Sequence, residues 1–407
     1  MIRGTARESR QSTRSCGRPY RTIASRKSVK IALCSILLIS ATARAADLPR
    51  AVDAAEARET LERGVAFLLA NQNSDGSWGG PRDAIWTFSG TVWSNPATHK
   101  AWKVATSGLC VMALLEADRS DAALQAADKA VDYLLEHAVV GRPSEWDTMD
   151  SWAYIYGVQA LARAFVDSRY AEDPRREQCR EAAYALLEKL ARCQAVNGGW
   201  GYLEFSTPRT PRHQWATSFM TAAAVIALDD ARRAGFEVSE VMFDHAVRAV
   251  ARCRLPSGAY LYSVPVIPIP GRQDNIHNIK GSLCRIPACN LALLAGEREV
   301  PEQRIRAGFV HLFRHHRFLD IARNKPIPHE TFYQNSGYFY LFGHYYAARL
   351  LHAASATDRA EFWPRLRYEI VKLQQDDGAM YDYDMHAYHK PYGTAFGVMT
   401  LAESLKE

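Results

Sequence analysis

The sequence predicts an all-α fold, a single (α/α)6 toroid in which six helical hairpins form a double ring. Three observations predict it. A short phrase, Gln-x-x-x-Gly-x-aromatic, recurs at a fixed period; amphipathic helices alternate with helices that are apolar on nearly every face; and no stretch alternates convincingly at period two, so no sheet is expected. The phrase spans Gln72–Trp78 and Gln194–Trp200, and returns in degenerate form at Arg254–Tyr260 and Gln374–Met380. Its glycines, Gly76, Gly198, Gly258 and Gly378, are 122, 60 and 120 residues apart, which makes one unit about 60 residues long. An aliphatic residue (Leu68, Leu190, Val250, Ile370) stands four places before each Gln position, in the last turn of a helix.

Residues 1–45 read as a cleaved secretory signal peptide. A basic lead precedes the apolar run Ile31–Ile39, and Ala43-Arg44-Ala45 offers a small-x-small cleavage site. The run is too short to cross a bilayer, so no transmembrane anchor should remain after cleavage. Export to the periplasm or beyond follows, with residues 46–407 as the mature toroid. The whole chain carries 50 basic and 44 acidic residues. The leader holds ten of the former and one of the latter, leaving 40 against 43. The basic excess therefore belongs to the leader, and nucleic acid is not implied as a partner. Six of the eight cysteines lie in the mature chain. The equivalent repeat positions of Cys193 and Cys253 set them about a helix spacing apart, too far to bridge.

In the mature chain the amphipathic helices are expected at 55–71, 121–138, 175–194, 238–254, 301–316 and 359–375. The apolar ones are expected at 104–117, 151–166, 214–231, 284–296, 335–353 and 391–405. A helix that is apolar all round must be buried, so the second set forms the inner ring. Links leading into inner helices are long (79–103, 201–213, 255–283, 317–334), whereas the return links are mostly short. One rim thus carries the long loops and the inner-helix N-termini, where function concentrates and anions are favoured.

These repeats resemble the QW repeats of squalene and oxidosqualene cyclases; Arg63–Trp78 matches that pattern position by position. The paired helices are similar to the terpenoid cyclase/protein prenyltransferase toroid superfamily along the whole mature chain. The resemblance implies that the repeats are structural staples between hairpins. It also shows what this chain lacks. The Asp-x-Asp-Asp acid of class II cyclases is missing, with Asp382-Tyr383-Asp384 and Asp229-Asp230 the nearest candidates, and so is the Gly-Cys-Gly-Glu-Gln thioester motif. The segment from Asp384 to Phe396 resembles the last-helix segment of prenyltransferase β subunits, with His389 in the place of a zinc ligand. The other ligand positions hold Asn335 and Gly337, or Pro328 and Glu330 in the alternative register. No metal site and no cofactor are expected.

The expected mouth of the toroid gathers Asp150, Trp152, His213, Trp215, Arg285, His329, Asn335, Tyr338, His386, His389 and Tyr392. Lys100, Lys103, Arg209, Arg272, Lys280 and Lys325 form a basic rim. The leading expectation is an apolar, isoprenoid-type small molecule or lipid in a central funnel, its anionic end at that rim. Should there be chemistry, His389 or His386 would act as base or acid, Tyr338 as proton donor, and Arg285 with His213 as an anion clamp. Trp152, Trp215 and Tyr392 would form walls, with Asp150 and Asn335 as polar contacts. Two alternatives stand beside it. One is a polysaccharide lyase-like enzyme using Asn335, His389, Tyr338 and Arg285; the other is a non-catalytic interaction module on the same fold.

Overall fold

The structure is a computed structural model and describes residues 51–82, 95–141, 148–203, 216–265 and 274–406. The leader, His213, Trp215, Arg209 and Arg272 lie outside the described residues. Thirteen α-helices are present among them, with two isolated β-bridges and no strand. The outer helices are α1 (Ala54–Ala70), α3 (Asp121–His137), α5 (Arg175–Cys193), α7 (Glu240–Arg252), α9 (Glu302–Arg314) and α12 (Ala356–Val371). The inner helices are α2 (Pro96–Ala117), α4 (Ser151–Val166), α6 (Ser218–Arg233), α8 (Arg285–Ala295), α11 (Phe339–Leu351) and α13 (His389–Ser404). Each inner helix packs on the next, and α13 packs on α2, so the inner ring closes. All twelve expected helices are present.

Two departures have local causes. Helix α2 begins at Pro96, because Pro suits the first turn and the Asn95 side chain accepts from Ala97 N at 2.9 Å. That places Lys100 and Lys103 on a helix, not in a loop. A short helix, α10 (Arg317–Arg323), occupies part of the long link before α11.

The repeat makes the same turn four times. In each copy the glycine takes a left-handed φ, between +85° and +95°. At Gly76 a Cβ would stand 2.3 Å from the Lys129 carbonyl, so both conformation and space require glycine there. The amide two residues past each glycine bonds a hydroxyl from the following inner-helix segment: Trp78 to Ser107, Trp200 to Thr221, Tyr260 to Ser282, Met380 to Thr394. The indoles of Trp78 and Trp200 donate back to the Leu68 and Leu190 carbonyls, at 2.8 and 2.9 Å. The glutamines reach sideways to the next outer helix. Gln72 donates to Ala126 O, Gln194 to Met242 O and Gln374 to Thr60 O, the last joining α12 to α1. Where no copy of the phrase exists, ion pairs stand in. Arg169 and Arg175 reach Asp128 and Asp132 on α3, and Arg306 on α9 reaches Asp358 and Glu361 on α12.

Charged side chains from the C-terminal ends of the inner helices meet at the other end of the ring. Arg163 pairs with Glu116, and Arg349 with Asp230 at 2.6 Å, while Gln159 donates to Asp230 at 2.7 Å. Neighbouring Arg349 holds the Asp230 carboxyl below its usual range, against the effect of burial. Asp229-Asp230 is thus committed to this network and to Arg233.

Candidate ligand cavity

A cavity of about 670 Å³ lies among the first turns of the inner helices. Its walls are Trp102, Ala105, Thr106 and Leu109 from α2, Trp152 and Tyr156 from α4, Phe342 from α11 and Tyr392 and Phe396 from α13. Rim loops add Met149, Tyr202, Leu203, Tyr262, Ile276, Pro328, His329, Gln334, Tyr338, Tyr383 and Met385. These walls are predominantly aromatic and aliphatic, and among the described residues no Asp, Glu, Lys or Arg lines them. Ring packing fixes the wall: Trp152 stacks on Tyr156 with planes 5° apart, and Phe219 wedges against Phe339 and Phe342 from behind.

One group of the cavity's polar side chains is gathered at one place. The Tyr338 hydroxyl lies 2.9 Å from His329 Nε2, and His329 Nδ1 lies 2.6 Å from the Gln334 carbonyl. A carbonyl only accepts, so the ring proton is on Nδ1, and Nε2 accepts from Tyr338. The Tyr202 hydroxyl is 2.8 Å from that of Tyr262 and 3.4 Å from that of Tyr338. Burial keeps the His329 ring neutral by lowering its pKa and holds the Tyr202 and Tyr338 phenols well above their usual range. His329 carries φ +66°, a conformation costly for a residue with a Cβ, and its amide is tied to the Ser336 hydroxyl at 3.0 Å.

Of the residues expected at the mouth, Trp152, His329, Tyr338 and Tyr392 line the cavity. Three others stand behind the wall. Asp150 accepts from the Tyr154 hydroxyl at 3.1 Å, and the Asn335 amide donates to the Lys280 carbonyl at 2.9 Å. Arg285 is fully buried and donates to the Tyr260 and Ile276 carbonyls. The pair His386 and His389 belongs to a different group. His389 Nδ1 donates to the His386 carbonyl at 2.6 Å, and its Nε2 faces the Arg82 guanidinium at 3.4 Å. Arg82 is itself paired with Asp384 at 2.9 Å. His386 packs edge-on against His99, behind Trp102. Burial lowers the pKa of both histidines. Three of the four rim lysines are engaged as well: Lys103 pairs with Asp75, Lys325 with Glu330, and Lys280 donates to the Tyr333 hydroxyl. The four residues of the lyase-like constellation are therefore not brought to one surface.

Sequence reasoning gave no role to Trp102, Tyr202 or Tyr262. A signal existed for the two tyrosines, because each stands two residues after a repeat aromatic, Trp200 and Tyr260. The same register places Asp382 two residues after Met380. Its carboxyl is fully buried, accepts from Tyr392 Oη at 2.9 Å and from Leu341 N at 2.8 Å, and is pushed up to about 6 by burial.

His316, Asp320 and Glu369, with donor atoms within 4.8 Å of one another, have metal-ligand types. The Lys372 ammonium already bridges the two carboxylates, 2.8 Å from Asp320 and in contact with Glu369. His316 Nε2 meets His344 Nε2 at 3.0 Å. The group ties α10, α11 and α12 together and lies away from the cavity wall.

No family model and no curated protein matches this sequence. Solved structures do. An inactive variant of an α-1,6-mannanase from Salegentibacter sp., in complex with α-1,6-mannotetrose, superposes with a TM-score of 0.55 at 11% identity, covering 86% of this chain and 98% of the other. The apo type II terpene cyclase MstE from Scytonema gives 0.48 at 15% identity, over 87% and 99%. At such identities the likeness establishes architecture alone. The chain is an (α/α) toroid.

Proposed function

We propose that this protein binds an apolar, isoprenoid-like small molecule or lipid in the centre of its toroid. The observation that carries the reading is the 670 Å³ cavity with aromatic walls and a group of polar side chains gathered at one place. That size falls among small-molecule sites, and such sites combine apolar walls with a few convergent polar groups. Glycoside hydrolysis by a carboxylate pair is less well supported, since no Asp or Glu lines the cavity among the described residues. An emptied, purely structural ring is also disfavoured, because the aromatic side chains surround the space without filling it.

The same proposal places the protein in an exported compartment, with cleavage after Ala45 and a squalene cyclase-like origin for its repeats. The Gln72, Gln194 and Gln374 staples are consistent with that origin. Native mass spectrometry of the secreted protein, followed by solvent extraction, tests the reading. A co-purifying lipid, or saturable binding of farnesol, is expected; neither appearing would overturn it. N-terminal sequencing of the same material should begin at Ala46.

A further inference from the structure

The strongest unused feature of the molecule is a buried cation that no acid among the described residues pairs with. Arg285 is 1% exposed, its guanidinium contacts only backbone carbonyls among the described residues, and its Nε has no hydrogen-bond partner. A buried arginine is ordinarily matched by a carboxylate, since desolvating a lone charge is costly. The charge lies 5.5 Å from the centre of the Tyr262 ring, and Tyr262 lines the cavity. Beyond Tyr262 come the Tyr202 and Tyr338 hydroxyls and His329. The buried acid Asp382 is already held by Tyr392 and by Leu341 N at the start of α11. One end of an otherwise apolar cavity is therefore biased toward negative charge and lined with hydrogen-bond donors.

We propose that Tyr202, Tyr262 and Tyr338 form the subsite for a carboxylate at the end of the ligand, with His329 holding Tyr338 beside it, and that Arg285 is its countercharge, acting through the Tyr262 ring. A single carboxylate matches in charge: one buried guanidinium supplies one positive charge, too little for a diphosphate. It also matches in donors. At rest Tyr338 donates to His329, and one of Tyr202 and Tyr262 donates to the other; turned toward an arriving carboxylate, these hydroxyls supply the two or more donors that it accepts in short, charge-assisted bonds. Arg285 is a positioning residue here; the phenols are what the ligand touches.

The proposal rests on the central cavity being a ligand site, and its test separates the two. Farnesoic acid, farnesol and farnesylamine share one chain and differ at the head. Their dissociation constants would be measured by calorimetry on the mature protein at pH 7.5. The acid is expected to bind at least about tenfold more tightly than the amine, since one charge at intermediate dielectric contributes a factor of this order. Arg285→Gln should bring acid and amine to within about threefold while leaving farnesol unchanged. Tyr262→Phe, which keeps the ring and the fold, should weaken the acid about three- to tenfold and leave the amine unaffected. Equal binding of all three heads, or preference for the amine, would overturn the carboxylate subsite while the cavity reading stands. No binding of any of the three would overturn both.

Discussion

Tyr338 donates its hydroxyl to Nε2 of His329 across 2.9 Å, and the His329 ring is oriented for this by its Nδ1–H bond to the Gln334 carbonyl. The pair joins an inner-helix cap to a rim loop at the cavity edge, so a single hydrogen bond contributes both to the loop's position and to the cavity's polarity. Replacing Tyr338 with Phe should lower stability by about 1 kcal/mol, the usual worth of one such bond. The diagnostic readout is the His329 imidazole. Its NMR titration should move upward toward the ordinary histidine value as the replaced hydroxyl admits water, and an unmoved titration would mean that the bond does not order the ring.

Filling the cavity should abolish binding without unfolding the ring. Ala105 faces the cavity from α2, so Ala105→Trp introduces its side chain into open volume and not into packed core. Farnesol affinity is expected to fall at least tenfold, with helical circular dichroism unchanged. Full retention of affinity would place the ligand elsewhere.

Gln374 helps to close the ring: its amide bonds Thr60 O at 2.8 Å and Gly378 O at 3.2 Å. Gln374→Ala should cost about 1–3 kcal/mol, because both carbonyls lose a donor. Urea denaturation would measure it. Gln194→Ala, which breaks a link within the ring, serves as the comparison, with its bonds to Met242 O and Gly198 O.

Asp382 supplies a pH signature. Its pKa is raised in the folded chain to about 6 from an ordinary 3.8, so the native state holds the proton more tightly than the unfolded state. The contribution is therefore fully present below about pH 3.8 and is lost as pH rises through about 6, an effect of about 3 kcal/mol. Asp382→Asn keeps an acceptor for Leu341 N, and its amide can donate to the Tyr392 oxygen. The variant should flatten the stability profile between pH 4 and 6.5 relative to wild type. Parallel profiles would show that Asp382 is ionised throughout.

Much of this architecture was legible in the sequence, because its causes are local and periodic. The Gln-x-x-x-Gly-x-aromatic phrase places a left-handed glycine and a side-chain donor at each helix end, and this chemistry acts over fewer than ten residues. Full-face apolarity separated inner from outer helices, since burial on all sides leaves its mark on every position. The start of α2 was missed although its Asn-Pro cap signal was present, because apolar periodicity weighed more than capping chemistry.

The site was legible only in part. Trp152, Tyr338 and Tyr392 could be placed on the wall from their position at inner-helix starts. What tertiary structure alone decided was which way the other side chains turn and what they meet. Residues from seven separate stretches converge on the cavity, and neither ring stacking nor hydrogen bonding between them has a sequence period. Thus His389 spends both nitrogens on the His386 carbonyl and Arg82, and Arg285 turns to carbonyls behind Tyr262. Meanwhile His329, on a strained loop residue, faces Tyr338. The sequence by itself determined a ring and the rim that carries its long loops. The packed structure decided which side chains face the empty centre, because that depends on competition among long-range partners that local pattern does not encode.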